Sequence, residues 1–146
     1  MPPYLPLALG LIKQWEGYKA EPYQDSTGTW TIGYGQTEGV CRTTPPIDQA
    51  QADAYLTKKL TQLDQILPSE CFVPLTDHQR AALLSLAWNM GIHGLGRSTL
   101  MEKLNNGAYQ EAANHITDFT YSKGIWIKGL ERRRLAEKAF FLTPDV

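Results

Sequence analysis

Three residues suited to acid–base and water-directing chemistry lie close together near the N-terminus: Glu16, Asp25 and Thr31, within WEGYKAEPYQDSTGTWTIGYG, Trp15 to Gly35. Eight residues separate the first two, and five separate the second from the third. A protonated carboxylic acid can donate to a poor leaving oxygen, while an ionised carboxylate beside a hydroxyl can hold one water. An acid facing such a water-directing pair is the arrangement for glycoside hydrolysis.

The elements that must position these groups follow from local pattern. Ala8, Leu11, Ile12 and Trp15 recur at helical spacing and Gly17 is a natural stop, so Glu16 closes the first helix. The helix dipole is negative there, and both it and burial beside the apolar stripe disfavour the charged carboxylate and favour the acid form. Taken alone, Glu16 fits better an exposed side chain solvating a fraying end.

The following EPYQDSTGTWTIGYGQT reads as a hairpin, with Trp30, Ile32 and Tyr34 on one face and Thr29, Thr31, Gly33 and Gly35 on the other. A three-residue loop, Ser26 to Gly28, opposes Asp25 to Thr29 and puts it on the face of Thr31. Aspartate before a turn is also a common Asx cap. Gly33 and Gly35 leave room for a bulky substrate against the backbone, the alternative being a flat, tightly packed strand.

A long helix is expected from Asp48 to Leu67, with Ile47, Ala50, Ala54, Leu60, Leu63, Ile66 and Leu67 apolar at helical offsets. Thr76 and Gln79 form a capping box before a stretch apolar nearly all round from Ala81 to Met90, the pattern of a central helix. The glycine-punctuated GIHGLG follows. A short helix then begins at Ser98 or Thr99, and Tyr109, Ala112, Ala113 and Ile116 give another. A loop with Tyr121, Gly124 and Trp126 leads to a last helix whose buried stripe is Leu135, Ala136, Ala139 and Phe140. Five or six helices and one small sheet make the class α+β.

The chain has 146 residues, 42% hydrophobic and 20% charged, with net charge −1. This fits one domain, or two small lobes sharing a core, and disfavours disorder and a generic nucleic-acid binder. From Lys123 to Lys138, however, Lys123, Lys128, Arg132, Arg133, Arg134 and Lys138 face only Glu131 and Glu137, a local net +4. That run is either a solvated helix face or a surface for an anionic polymer.

The apolar run from Leu5 to Ile12 has no preceding basic residue and is too short to span a bilayer, so neither signal peptide nor membrane anchor is expected. Cys41 and Cys71 lack metal-ligand spacing, and the helix expected between them keeps them too far apart for a disulfide. His78, His93 and His115 are assigned no role. The glycines of GYGQTEG do not follow a dinucleotide fingerprint, and no cofactor or metal is implied.

With these residues in view, the stretch from Trp15 to Gly35 is similar to the active-site region of phage lysozymes (endolysins) of glycoside hydrolase family 24. Their pattern is E, eight residues, D, five residues, T, on which Glu16, Asp25 and Thr31 fall without a gap. PLTDHQRAALLSLAWNMG, STLMEKLNNGAY and GLERRRLAEKAF resemble the same family, so the likeness runs from about Leu7 to Leu142. One departure is Gln36, where the family often has His after GYG.

The resemblance implies a single lysozyme-like domain over 1–146. A small β-hairpin lobe (about 17–46) and a mostly helical lobe (about 70–142, with the N-terminal helix) would be joined by the helix at about 48–67. Peptidoglycan would lie between the lobes. The implied enzyme cleaves the β-1,4 bond between N-acetylmuramic acid and N-acetylglucosamine with inversion. Glu16 would be general acid, Asp25 and Thr31 would position water, and Gly35, Thr37 and Trp88 would contact substrate. Tyr121 and Trp126 are weaker sugar-stacking candidates, and one of Arg132, Arg133 and Arg134 is expected to hold Glu16. The expected protein is a monomer that stays in the host cytoplasm until a holin-type lesion admits it to the wall. A lytic transglycosylase and a non-catalytic peptidoglycan-binding module are the competing readings.

Overall fold

The computed structural model describes residues 1–122 and 124–146, so Lys123, the first residue of the basic run, lies outside the described residues. The first helix, α1 (Tyr4–Glu16), buries Leu5, Ala8, Leu11 and Ile12, which makes the N-terminal apolar run a core-facing stripe. Gly17, at φ +64°, ends it with an N–H bond to the Lys13 carbonyl of 3.2 Å, leaving Glu16 as the last helical residue.

Strands β1 (Lys19–Gln24) and β2 (Trp30–Gly33) pair antiparallel, with Gln24 opposite Trp30 and Tyr23 opposite Thr31. The loop has the expected three residues: Asp25 N–H donates to Thr29 O at 3.0 Å, and Gly28 N–H to Asp25 O at 3.0 Å. The alternation does not continue to Gly35, however. Gly33 and Gly35 adopt φ +65° and +92°, turning the chain so that Ile32 and Gln36 exchange two backbone bonds of 2.9 Å. Gly33 also leaves no room for substrate, because a Cβ there would meet Ile47 at 3.2 Å and Ala52 at 3.4 Å.

The long helix α2 (Gln49–Ile66) starts at Asp48, whose carboxylate accepts from Gln51 N–H while the Gln51 side chain accepts from Asp48 N–H. Its buried stripe is Ala52, Leu56 and Leu60, whereas Ala50, Ala54 and Ile66 are exposed. Alanines at 50, 52 and 54 bury too little area to set the helix phase; the larger Leu56 sets it.

The central helix α3 (Asp77–Met90) has the expected capping box from Thr76 and Gln79, and every residue from Ala81 to Ala87 is buried. GIHGLG is itself helical in α4 (Ile92–Gly96), with Ile92 and Leu95 buried. Then come α5 (Thr99–Asn105), capped by Ser98, and α6 (Tyr109–Asn114) with a 3-10 turn after it. The expected loop contains a small hairpin, β3 (Tyr121–Ser122) and β4 (Ile125–Trp126), before α7 (Lys128–Phe141). The architecture is mostly helical with two small two-stranded antiparallel sheets, β1–β2 and β3–β4, where one sheet was expected, because the second pairs only two residues from each strand.

The last helix departs most from expectation. Its buried face is Arg133, Arg134, Glu137 and Phe141, while Leu135 is 50% exposed. Because α1 and α7 both pack on α3, this polar face is brought to the C-terminal end of α1. Arg133 and Arg134 are therefore consumed internally, which removes two of the cations that made the run resemble a surface for an anionic polymer.

One continuous core runs from Leu5 and Ala8 through Tyr34 and Leu56 to Leu84 and Phe141. Asp64 of α2 ties α1 to α3 by accepting from Tyr4 at 2.8 Å and Arg80 at 2.7 Å. Cys41 and Cys71 are both free thiols. Among the described residues no helix is long and apolar enough to cross a membrane.

Candidate active site

Glu16 arrives at the end of α1, Asp25 and Thr31 on the hairpin, and Trp88 near the end of α3. These four, with Gly35 and Thr37, line one cavity of about 200 Å³. Tyr23 and Asn89 complete its wall. Both were missed in the sequence, although Tyr23 lies directly opposite Thr31 and Asn89 follows Trp88.

The Glu16 side chain is 22% exposed, so one edge stays open to the cavity, and Arg133 Nη1 donates to its Oε1 at 2.9 Å. Of the three C-terminal arginines, Arg133 is thus the one that holds Glu16. Arg132 is exposed, and Arg134 turns to Asn89 Oδ1 instead. Behind Arg133 lies a closed polar cluster. Its Nη2 donates to Ser85 O at 3.2 Å, its Nε approaches Glu137 Oε2 at 3.5 Å, and the Ser85 hydroxyl donates to that same oxygen at 2.6 Å. Arg134 Nε lies 3.1 Å from the other Glu137 oxygen. Burial pushes the Glu137 carboxyl above its usual value, opposed by Arg134, Arg133 and Ser85, and burial lowers Arg134.

Asp25 is arranged differently. Its Oδ1 accepts from Thr27 Oγ1 at 2.7 Å, Thr27 N–H at 2.8 Å and Thr29 N–H at 3.0 Å. These donors, the Thr27 hydroxyl first, hold the carboxyl below its ordinary value, so it is ionised at neutral pH. The Asx cap leaves room for a second task, because the turn uses Oδ1 and leaves Oδ2 free of these bonds. Thr31 is 3% exposed, and its hydroxyl donates to Thr29 O at 2.9 Å. With its proton committed, its oxygen is left as an acceptor, so a water donating to both Thr31 and Asp25 would turn its lone pair away from them. Burial first, then the Glu16 and Asp25 charges, push the Tyr23 phenol upward and keep it neutral.

Gly35 lies against Glu16: a Cβ there would be 3.3 Å from Glu16 Oε2 and 3.9 Å from Trp88 Nε1. Trp88 is half-buried, packing on the core while lining the cavity. Gly35, Thr37 and Trp88 also line an adjoining groove of about 360 Å³, walled farther on by Tyr55 and Lys59 of α2, so the cleft is extended rather than a single pocket. At that groove the Glu38–Lys59 ion pair, 2.7 Å, links the loop after Gln36 to α2. Gln36 itself bonds through its backbone to Ile32.

Tyr121 and Trp126 do not line this cleft; they are 60% and 46% exposed, and the Trp126 indole N–H donates to Glu131. His78, His93 and His115 each lie beside a carboxylate, of Asp145, Glu70 and Asp118, away from the cavity.

Known proteins resemble this chain over most of its length. The chain is 38% identical over 137 residues to an endolysin of Acyrthosiphon pisum secondary endosymbiont phage 1, covering 91% of this chain and 93% of that one. It is 32% identical over 127 residues to a SAR-endolysin of Enterobacteria phage P21, covering 87% and 77%. Among solved structures, the muramidase domain of SpmX from Asticaccaulis excentricus matches with a TM-score of 0.85 and 34% identity over 94% of this chain and 96% of that one. P22 lysozyme matches with a TM-score of 0.81 and 30% identity over the same shares. The family model described as phage lysozyme matches residues 13–137, which include the whole cavity wall. A lysozyme-like fold, an acid held by arginine facing a carboxylate–hydroxyl pair, and this match over most of its length agree: the chain belongs to the phage lysozyme family.

Proposed function

We propose that this endolysin hydrolyses the β-1,4 bond between N-acetylmuramic acid and N-acetylglucosamine in peptidoglycan, with Glu16 as general acid and inversion at the anomeric carbon. Membership of the family makes it a muramidase-type hydrolase of peptidoglycan. The observation that carries the mechanism is the division of labour in one cavity: a carboxyl on α1 beside Arg133, facing a turn-locked aspartate and an acceptor hydroxyl on the hairpin.

In this reading Glu16 gives its proton to the glycosidic oxygen as the bond to the anomeric carbon breaks. A water held by Asp25 and Thr31 attacks that carbon from the opposite face and passes a proton to Asp25. Trp88, Thr37 and the open backbone at Gly35 support the glycan along the groove. The enzyme works as a monomer, remains in the host cytoplasm until lysis and reaches the wall through a holin-type lesion.

The test is digestion of purified peptidoglycan by wild type and Glu16→Gln, with sugar termini read by mass spectrometry and anomeric configuration by NMR. Reducing ends from wild type, with a loss of about 10²-fold or more in the variant, are expected. Anhydro ends would make the protein a transglycosylase, and no cleavage by wild type would leave only a binding module.

A further inference from the structure

We propose that Glu137 is a positioning residue for Glu16, acting through Arg133 and held in turn by Ser85. This rests on the reading of Glu16 as the acid. The Glu137 side chain is fully buried and never reaches the cavity, yet it is one contact away from the group that does.

Arg133 is fixed from three sides: Glu16 at 2.9 Å, the Ser85 carbonyl at 3.2 Å and Glu137 at 3.5 Å. The carbonyl belongs to α3 and cannot be lost by side-chain motion. Glu137 is the only charged partner of Arg133 among the described residues besides Glu16 itself, so without it only Ser85 is left to set the guanidinium's position behind Glu16. Ser85 closes the arrangement by donating to the Glu137 oxygen that faces Arg133.

Charge gives a second reason. Glu16 and Glu137 balance Arg133 and Arg134, so the cluster as a whole is neutral when both carboxylates are ionised. A neutral residue at 137 leaves two guanidiniums facing the single carboxylate of Glu16, an uncompensated buried charge of +1 that the cluster must rearrange to accommodate. Stability alone does not call for the device, since well-packed apolar side chains replace buried ion pairs at little cost. A carboxyl that must keep one orientation does call for it.

The experiment compares wild type, Glu137→Gln, Glu137→Asp, Ser85→Ala and Glu16→Gln for kcat, KM and melting temperature on soluble peptidoglycan fragments. Glu137→Gln is expected to lose about tenfold or more in kcat, with KM changed far less. Glu137→Asp restores the charge and should recover part of kcat. Ser85→Ala should lower kcat in the same way by a smaller amount, again with little change in KM, and decides the matter if Glu137→Gln does not fold. A lowered melting temperature with wild-type kcat would overturn the proposal, leaving Glu137 a counterion for folding alone. Near-wild-type activity in Glu16→Gln would instead overturn the underlying assignment of the acid.

Discussion

Gly35→Ala separates the cost of backbone strain from the cost of displacing the acid. Gly35 sits at φ +92°, where an L side chain costs roughly 1–2 kcal/mol. For a chain of 146 residues that corresponds to a melting point lower by about 3–8 °C. The added Cβ would also stand 3.3 Å from Glu16 Oε2 and 3.7 Å from its Cδ, so the carboxyl must retreat by a few tenths of an ångström. It cannot retreat freely, because Arg133 holds its other oxygen at 2.9 Å. Misplacement by about 1 Å can cost about 10²-fold, so a loss near tenfold in kcat is expected here. Gly107→Ala is the control: Gly107 has φ +81° and nothing within 4 Å of its Cβ position, so it carries the strain without the contact. Peptidoglycan digestion at 25 °C, with melting curves on both variants, gives the comparison. Equal kcat loss in the two, or undiminished kcat in Gly35→Ala, would refute the argument that contact with Glu16 is what matters.

Thr27→Val removes the donor that most lowers the Asp25 carboxyl; the acidic limb of the pH–rate profile should move to higher pH, since Asp25 then protonates sooner. The Asp145 carboxyl is held below its ordinary value chiefly by His78, with help from Asp77 N–H. Its contribution is therefore present above the unfolded value and lost as pH falls through the folded one, so Asp145→Asn should melt lower at neutral pH, with the gap closing in acid. Leu84→Ala, at a fully buried position of α3, should cost about 2–5 kcal/mol by equilibrium unfolding. If the C-terminal hairpin plays no part in sugar stacking, Trp126→Ala should leave KM within about twofold, because its ring lies outside the cleft and its N–H is used by Glu131.

Local signals in the chain determined much of this protein. Caps at Asp48, Thr76 and Ser98 set helix starts to within a residue, because a cap is a bond between near neighbours and needs no tertiary partner. The same holds for the three-residue turn and for the position of Glu16 at a helix end. The spacing of Glu16, Asp25 and Thr31 was legible because all three lie on two consecutive elements.

Tertiary structure decided what depends on distant groups. Apolar periodicity placed the buried face of α7 on Leu135, Ala136, Ala139 and Phe140, but the helix buries Arg133, Arg134 and Glu137. No apolar pattern can mark such a face, since these charges are buried only because Glu16, Ser85 and Asn89 meet them from α1 and α3. Which arginine holds Glu16 was undecidable for the same reason: three adjacent arginines point in three directions around a helix, and only the packing of α1 and α7 on α3 selects one. Gly33 and Gly35 look equivalent in the sequence, yet one is filled by Ile47 and Ala52 while the other faces the acid. Residue chemistry and short-range spacing thus determined the candidate reactive groups. Long-range packing determined which charges surround them, because electrostatic partners are chosen by proximity in space and not along the chain.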